Sequence, residues 1–342
     1  MNKIIDKGRV KVIEFYAKLR NKRLYCAVLN GGSTDNIVIN SDMTVSCSCN
    51  DLYGLGKMGN LKKQSLKEIF SGEKADFFRK SLAKGKIPII NCLFCSGFWF
   101  MDKNIARIPI PRFNTPKGIK VENTVNCNLN CLSCNRKMIY SQREKRNLTL
   151  EDIKKIAFEI KKNKIKEVQY SNLGEPFFSE IIKKELGILK KYNPGLLIHI
   201  LTNGILIDSK EKQNAALMAD HILFSIHGST QKSVEKYQRG ANFDKAYNNM
   251  KDLVKLRNSL GKTKPRIIWK YVLFRWNDGK KLILNAINLA KKAGVDEICF
   301  DQTLSPPFGI SFKSYLGGGY LNKISKFKNK IIKFDLRKES NI

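Results

Sequence analysis

Three cysteines on one short loop carry the most specific chemistry in this chain. Asn126-Cys127-Asn128-Leu129-Asn130-Cys131-Leu132-Ser133-Cys134 spaces its thiols as Cys-x3-Cys-x2-Cys, directly after a strand-like run. Thiolates so placed can hold three irons of a four-iron four-sulfur cluster and leave the fourth iron without a protein ligand. A structural zinc ion normally recruits four protein ligands, and the loop holds no fourth Cys or His. Four more of the nine cysteines fall in two close pairs, Cys47 with Cys49 and Cys92 with Cys95. Together they suit either an auxiliary four-iron cluster or tetrahedral zinc, and spacing alone does not separate the two. Cys26 and Cys299 stand alone and read as small apolar core residues. Such short spacings in an unexported chain point to metal or redox chemistry rather than a disulfide framework.

The elements that must position these groups are legible as alternating strand-like and helix-like runs from Ile119 onward, the pattern of repeated βα units and a parallel sheet. Strands are expected at Ile119–Val125, Ile165–Leu173, Leu196–Thr202, His221–His227, Arg266–Phe274 and Glu297–Thr303. Helices are expected at Thr149–Lys162, Ser179–Tyr192, Asp208–Ala219, Asp244–Leu260 and Asp278–Ala293, several opening on N-capping Thr, Ser or Asp, and the last stopped by Gly294. Six right-handed units curl into a partial (β/α)6 TIM-like barrel, an α/β fold whose site gathers at the C-terminal strand ends. The loop cysteines, Gly174-Glu175-Pro176, Thr202-Asn203-Gly204 and Ser225 all fall at such ends.

Residues 1–105 read as a small α+β module, with a β-hairpin in Asn36–Val45 and a helix over Ser65–Arg79. Residues 106–118, with Pro109, Pro111 and Pro116, form the linker, 119–305 the barrel, and 306–342 a C-terminal extension whose tail after Gly317-Gly318-Gly319 is lysine-rich.

The Cys-x3-Cys-x2-Cys loop after the first strand resembles the signature of the radical S-adenosylmethionine (SAM) superfamily. The resemblance implies that SAM chelates the open iron, and that the reduced cluster breaks a carbon–sulfur bond to give a 5′-deoxyadenosyl radical that abstracts hydrogen from a substrate. It also implies roles at matching positions. At Gly174-Glu175, where Leu173 replaces the first glycine of a Gly-Gly-Glu motif, Gly174 would allow close backbone approach and Glu175 or nearby backbone carbonyls would receive the SAM ammonium; Asn203 would belong to the third-strand motif; Ser225 would meet the ribose; and Arg239 would pair with the carboxylate. Ser133 stands where the family usually has an aromatic residue, and His227 where members often carry an acid. His227 could donate a proton, although a lone histidine is more often structural, and His199 and His221 read as structural. Cys47, Cys49, Met58-Gly59-Asn60-Leu61, the helix from Ser65, and Cys92-x2-Cys95 resemble a SPASM or truncated twitch module, here placed before the barrel. A small flavodoxin- or ferredoxin-type electron donor is the implied partner.

The formal charge of +33, from 63 basic and 30 acidic residues, is spread along the chain without a basic block. No apolar run is long enough to cross a membrane and no signal-peptide core opens the chain, so a soluble cytoplasmic protein is expected. The resulting expectation is a radical SAM enzyme acting on a carbohydrate or peptide. The alternatives are an RNA-modifying radical SAM enzyme, favoured by charge but without a recognisable RNA-binding module, and a non-catalytic metal-stabilised binding protein.

Overall fold

The structure is a computed structural model that describes residues 3–49, 51, 53–102, 113–316 and 332–333. Most of the expected linker, including Pro109 and Pro111, and nearly all of the C-terminal tail lie outside the described residues. Packing divides the chain into two compact units. The first comprises Met1–Val125, Asn135–Leu173 and Ile188–Leu197, and the second Asn126–Cys134, Gly174–Gly187 and Ile198–Ile342.

In the first unit, strands β1 (Lys22–Cys26) and β5 (Phe98–Asp102) form an antiparallel pair. Strands β2 (Val38–Ile39), β3 (Thr44–Ser46), β4 (Lys57–Asn60), β6 (Gly118–Val121) and β7 (Glu167–Gln169) form a sheet in the order β7-β6-β2-β3-β4. The expected hairpin is the β2–β3 pair, closed by a turn in which Met43 has a positive φ and the Asn40 amide donates to the Thr44 carbonyl. β2 also pairs parallel with β6, and β6 with β7. β6 stops at Val121, short of the expected Val125, because a buried polar knot begins there. Glu122, fully buried, accepts from Arg143 Nε at 2.7 Å and from Asn172 Nδ2 at 3.1 Å, and Arg143 also donates to Asn40 Oδ1 at 2.8 Å. A buried ion pair is tolerated only when hydrogen bonds satisfy its remaining atoms, as these do.

The expected helix over Ser65–Arg79 is two helices, Leu66–Ser71 and Glu73–Ala83. Ser65 and Glu68 form a capping box for the first, and Gly72, in extended conformation, ends it and begins the second. A helix over Lys3–Leu19, which the mixed charge of the N-terminus concealed, precedes β1.

The second unit carries the parallel strands β8 (Leu197–Thr202), β9 (His221–Ser225), β10 (Arg266–Leu273), β11 (Glu297–Gln302) and the short β12 (Ile332–Lys333), paired in that order. The fold class is α/β with parallel βα units, as expected of a partial TIM-like barrel. Caps fall close to the predicted places: Thr149 and Asp152 form a capping box on the helix Leu150–Lys162, and Gly294, at φ +72°, ends the helix Lys280–Ala293. Along β10, Ile267, Trp269, Tyr271 and Leu273 are buried, whereas Ile268, Lys270 and Val272 are half-buried on the opposite face. No helix among the described residues is long and apolar enough to cross a membrane.

His227, 8 % exposed just past β9, is a structural residue of this unit. Its Nδ1 accepts the Val272 amide at 3.1 Å, and its ring packs beside Tyr237 and Phe274. Burial, aided by the Lys270 charge, lowers the imidazole to about 3, so the folded chain keeps it neutral. The unfolded imidazole titrates near pH 6.5, so between about 6.5 and about 3 the unfolded chain binds one more proton and stability is lost as pH is lowered. In denaturant melts from pH 7 to pH 5, His227→Gln should become less destabilising relative to wild type, by up to about 1.4 kcal/mol per pH unit. A constant difference across that window would show that folding does not perturb this imidazole.

Candidate active site

The three-cysteine loop lies wholly in the second unit, where the backbone of the segment after β9 holds it. The Asn130 amide donates to the Arg239 carbonyl at 3.0 Å, and the Leu132 amide to the Tyr237 carbonyl at 2.8 Å. Buried Gln238, between these two acceptors, fixes their segment to the end of β9: its Nε2 donates to the Ser225 carbonyl at 2.8 Å and its Oε1 accepts the His227 amide at 2.7 Å. Burial raises the Tyr237 phenol above its ordinary value, and its oxygen accepts from Ser133 Oγ of the loop at 3.4 Å. Cys127 Sγ accepts the Leu129 amide at 3.4 Å and lies 3.9 Å from Asn203 Nδ2.

Glu175 ties this loop to the third strand end. Its amide donates to the Asn126 carbonyl at 2.8 Å, immediately before Cys127. Its carboxylate, 2 % exposed, accepts from Thr202 Oγ1 at 2.7 Å, the Asn203 amide at 2.7 Å and the Phe177 amide at 3.2 Å. Burial pushes the carboxyl up to about 7 against the pull of those three donors. Asn203 in turn donates from Nδ2 to Asn128 Oδ1 at 2.8 Å and accepts the Ile205 amide at 3.0 Å. Gly204 completes the turn at φ +79°, and a Cβ there would sit 2.6 Å from the Phe224 ring. The Thr-Asn-Gly sequence is therefore a device for presenting Asn203 to the cysteine loop.

The other expected SAM residues lie in the same unit. Gly174 is half-buried beside Glu175, Ser225 is half-buried at the end of β9, and Arg239 is exposed, with its carbonyl engaged by the loop. Ser225, Lys270 and Cys299 are register partners across β9, β10 and β11, and so form one row on the half-buried face. Lys270 Nζ lies 2.6 Å from Asp301 Oδ2, and Cys299 Sγ donates to Asp301 Oδ1 at 3.4 Å. Sequence reading missed this row; its signal was a Lys and an Asp at half-buried positions of otherwise apolar strands.

The Cys47, Cys49, Cys92 and Cys95 group lies in the first unit, where Cys26 also falls. Cys26, read from sequence as a core residue, ends β1 opposite Phe98 of β5, while the Phe98 amide donates to the Cys95 carbonyl and the Ala27 amide to the Gly97 carbonyl at 2.8 Å. Burial pushes the Cys26 thiol up to about 11, and the charge of Cys95 adds to the rise. Burial likewise pushes Cys92 up to about 12, with Cys26 and Cys95 adding to it, and raises Cys47 well above the ordinary thiol value, with Cys26, Cys92, Asp51 and Cys95 adding. Cys49 acts on Cys95, whose thiol is raised chiefly by burial. Gly56 leaves room beside them, since a Cβ there would lie 3.2 Å from Cys47 Sγ.

Among the described residues, no three His, Cys, Asp or Glu side chains close around one point as ligands of a single metal ion would. The three half-buried loop thiols, on a backbone pinned from both sides in the second unit, suit an iron–sulfur cluster by their donor chemistry.

Comparison with known proteins places this geometry. No curated protein matches the chain. Among solved structures, Streptococcus suis SuiB bound to precursor peptide SuiA is similar at 17% identity over 63% of this chain and 48% of SuiB, with a TM-score of 0.48. The chain thus spans about half the length of SuiB. TYW1 with a lysine-pyruvate adduct is similar at 19% identity over 61% of this chain and 71% of TYW1, with a TM-score of 0.40. The anSMEcpe structure with bound AdoMet is similar at 15% identity over 60% of this chain and 58% of that chain, with a TM-score of 0.44. The Radical SAM superfamily model matches residues 121–263, the stretch that holds the cysteine loop, Glu175, the Thr202–Gly204 turn, Ser225 and Arg239. On that match, residues 121–263 of this chain form a Radical SAM superfamily domain.

Proposed function

We propose that this chain reductively cleaves SAM and abstracts hydrogen from a peptide or carbohydrate substrate. The observation that carries the reading is the cysteine loop held by the Tyr237 and Arg239 carbonyls and joined through Asn126 and Asn128 to Glu175 and Asn203. When bound, a four-iron cluster with SAM on its open iron supplies the electron that breaks the sulfonium bond and the 5′-deoxyadenosyl radical that attacks the substrate.

In this reading Cys127, Cys131 and Cys134 hold the irons. Glu175 acts as a positioning residue: its oxygens already accept three hydrogen bonds, so the SAM ammonium falls to main-chain carbonyls near Gly174 and Glu175. Ser225 takes the ribose, and the exposed Arg239 guanidinium takes the carboxylate. Lys270, in the Ser225 row, and its ion-pair partner Asp301 offer a donor and an acceptor side by side and face the substrate. Cys26, Cys47, Cys92 and Cys95 hold an auxiliary four-iron cluster of SPASM or twitch type, with Cys49 beside Cys95. A small flavodoxin- or ferredoxin-type protein supplies electrons.

Anaerobically reconstituted protein with a strong reductant should form 5′-deoxyadenosine from SAM, measured by chromatography. Cys127→Ala, Cys131→Ala and Cys134→Ala should each reduce it to background. Fully iron-loaded wild type that yields none would remove the central reading.

Metal analysis tests the auxiliary set. Cys26→Ala should lose roughly half of the wild-type iron, as should the Cys92→Ala, Cys95→Ala double variant, because each removes one of two four-iron clusters. Cys49→Ala should keep its iron, and all of these should retain some uncoupled SAM cleavage. Full iron in Cys26→Ala would return that residue to the core, and one zinc per chain in wild type would make the module a structural clamp.

A further inference from the structure

A cavity of about 1000 Å³ lies in the first unit, away in sequence from the barrel strand ends. It is bounded by the helix Lys3–Leu19, the start of β1 and the turn after the helix Glu73–Ala83. Its lining carries six cations, Lys11, Lys18, Lys22, Arg23, Lys84 and Lys86, against a single carboxylate, Glu14. That carboxylate is already engaged, accepting Lys86 Nζ at 2.8 Å and the Ile87 amide at 2.9 Å, and so serves to tie the turn to the helix. Lys22 pairs with Asp102, whereas the structure gives Lys11, Lys18 and Lys84, all exposed, no ion-pair partner among the described residues.

The floor is apolar. Leu24 and Leu82 are buried beneath it, and Phe15 lines it while remaining 66% exposed. Val12, Phe15 and Leu19, spaced i, i+3 and i+7, extend an exposed apolar stripe along the helix. A soluble surface with only diffuse charge needs no such combination, since stranded aromatic and aliphatic groups inside a cationic rim cost solvation until something covers them.

We propose that this groove docks an acidic peptide segment that also bears apolar side chains. The carboxylates would meet the Lys11, Lys18 and Lys84 rim, and the apolar groups would cover Phe15 and the helix stripe. The volume suits a few residues of an extended chain, and the concave shape suits a peptide better than the flat face of a folded carrier protein. β1 runs from this groove to Cys26, so an occupied groove lies on the strand that carries one of the auxiliary thiols. The proposal does not rest on SAM chemistry.

The test is fluorescence anisotropy with full-length reconstituted protein and three labelled probes: a short Glu-Leu alternating peptide, a Glu-Gly peptide of equal charge, and oligothymidylate of equal charge. The Glu-Leu peptide should bind at least tenfold more tightly than the other two. Lys11→Glu, Lys18→Glu, Lys84→Glu combined should weaken it at least tenfold, and the milder Phe15→Ser at least threefold, with iron content and uncoupled SAM cleavage as checks on folding. The same charge reversal at Lys255, Lys262 and Lys292, exposed in the other unit, should leave binding within twofold. Equal weakening by that remote triple would assign binding to diffuse charge and overturn the proposal. Equal binding of the Glu-Gly peptide would show a site that reads charge alone, and tight oligothymidylate binding lost with the groove lysines would make it a nucleic-acid surface; either result also overturns it.

Discussion

The second unit depends on one buried carboxylate. Glu175 is almost wholly removed from water, which alone would favour its neutral form, yet three donors from two chain segments converge on it. A carboxylate suits that position better than an amide because every partner donates, and a Gln nitrogen would face donors with nothing to accept. The result is a rigid junction. The Asn126 carbonyl, the Glu175 backbone and the Thr202–Asn203 turn are fixed relative to one another, so the first cysteine leaves the junction in a set direction. Asn203 then spends its side chain on Asn128 rather than on its own strand, which carries the constraint into the loop.

On the far side of the loop, neutral main-chain acceptors do the holding. The Tyr237 and Arg239 carbonyls alternate with Gln238, whose amide bridges Ser225 and His227. A two-sided grip of this kind restrains the backbone without consuming the cysteine side chains. It also couples the loop to the row of Ser225, Lys270 and Cys299 through one strand end, so the groups expected to meet cofactor and substrate share a frame.

What the sequence disclosed was whatever is encoded locally. The βα alternation, the Thr149 cap and the Gly294 stop were readable because each depends on neighbours a few residues away. Strand ends were overextended where polar residues such as Glu122 leave the ladder for a buried network whose partners, Arg143 and Asn172, are distant in the chain. Gly72 divides a helix that hydrophobic spacing alone would continue. Likewise nothing beside Cys26 in sequence marks its neighbours, and only the pairing of β1 with β5 brings its strand to the segment that follows Cys95.

The two cysteine sets are built on opposite principles, and this bears on how each would respond to its metal. The loop thiols are half-buried, and their backbone is fixed by hydrogen bonds that need no metal. The thiols of Cys26, Cys47 and Cys92 are pushed upward by burial and by one another's charge, so the metal-free set favours protonated, neutral sulfur. In the auxiliary site proposed for the first unit, a bound cation would reverse that balance by deprotonating the thiols and drawing each thiolate to itself, so metal uptake there would release protons and weaken as pH falls.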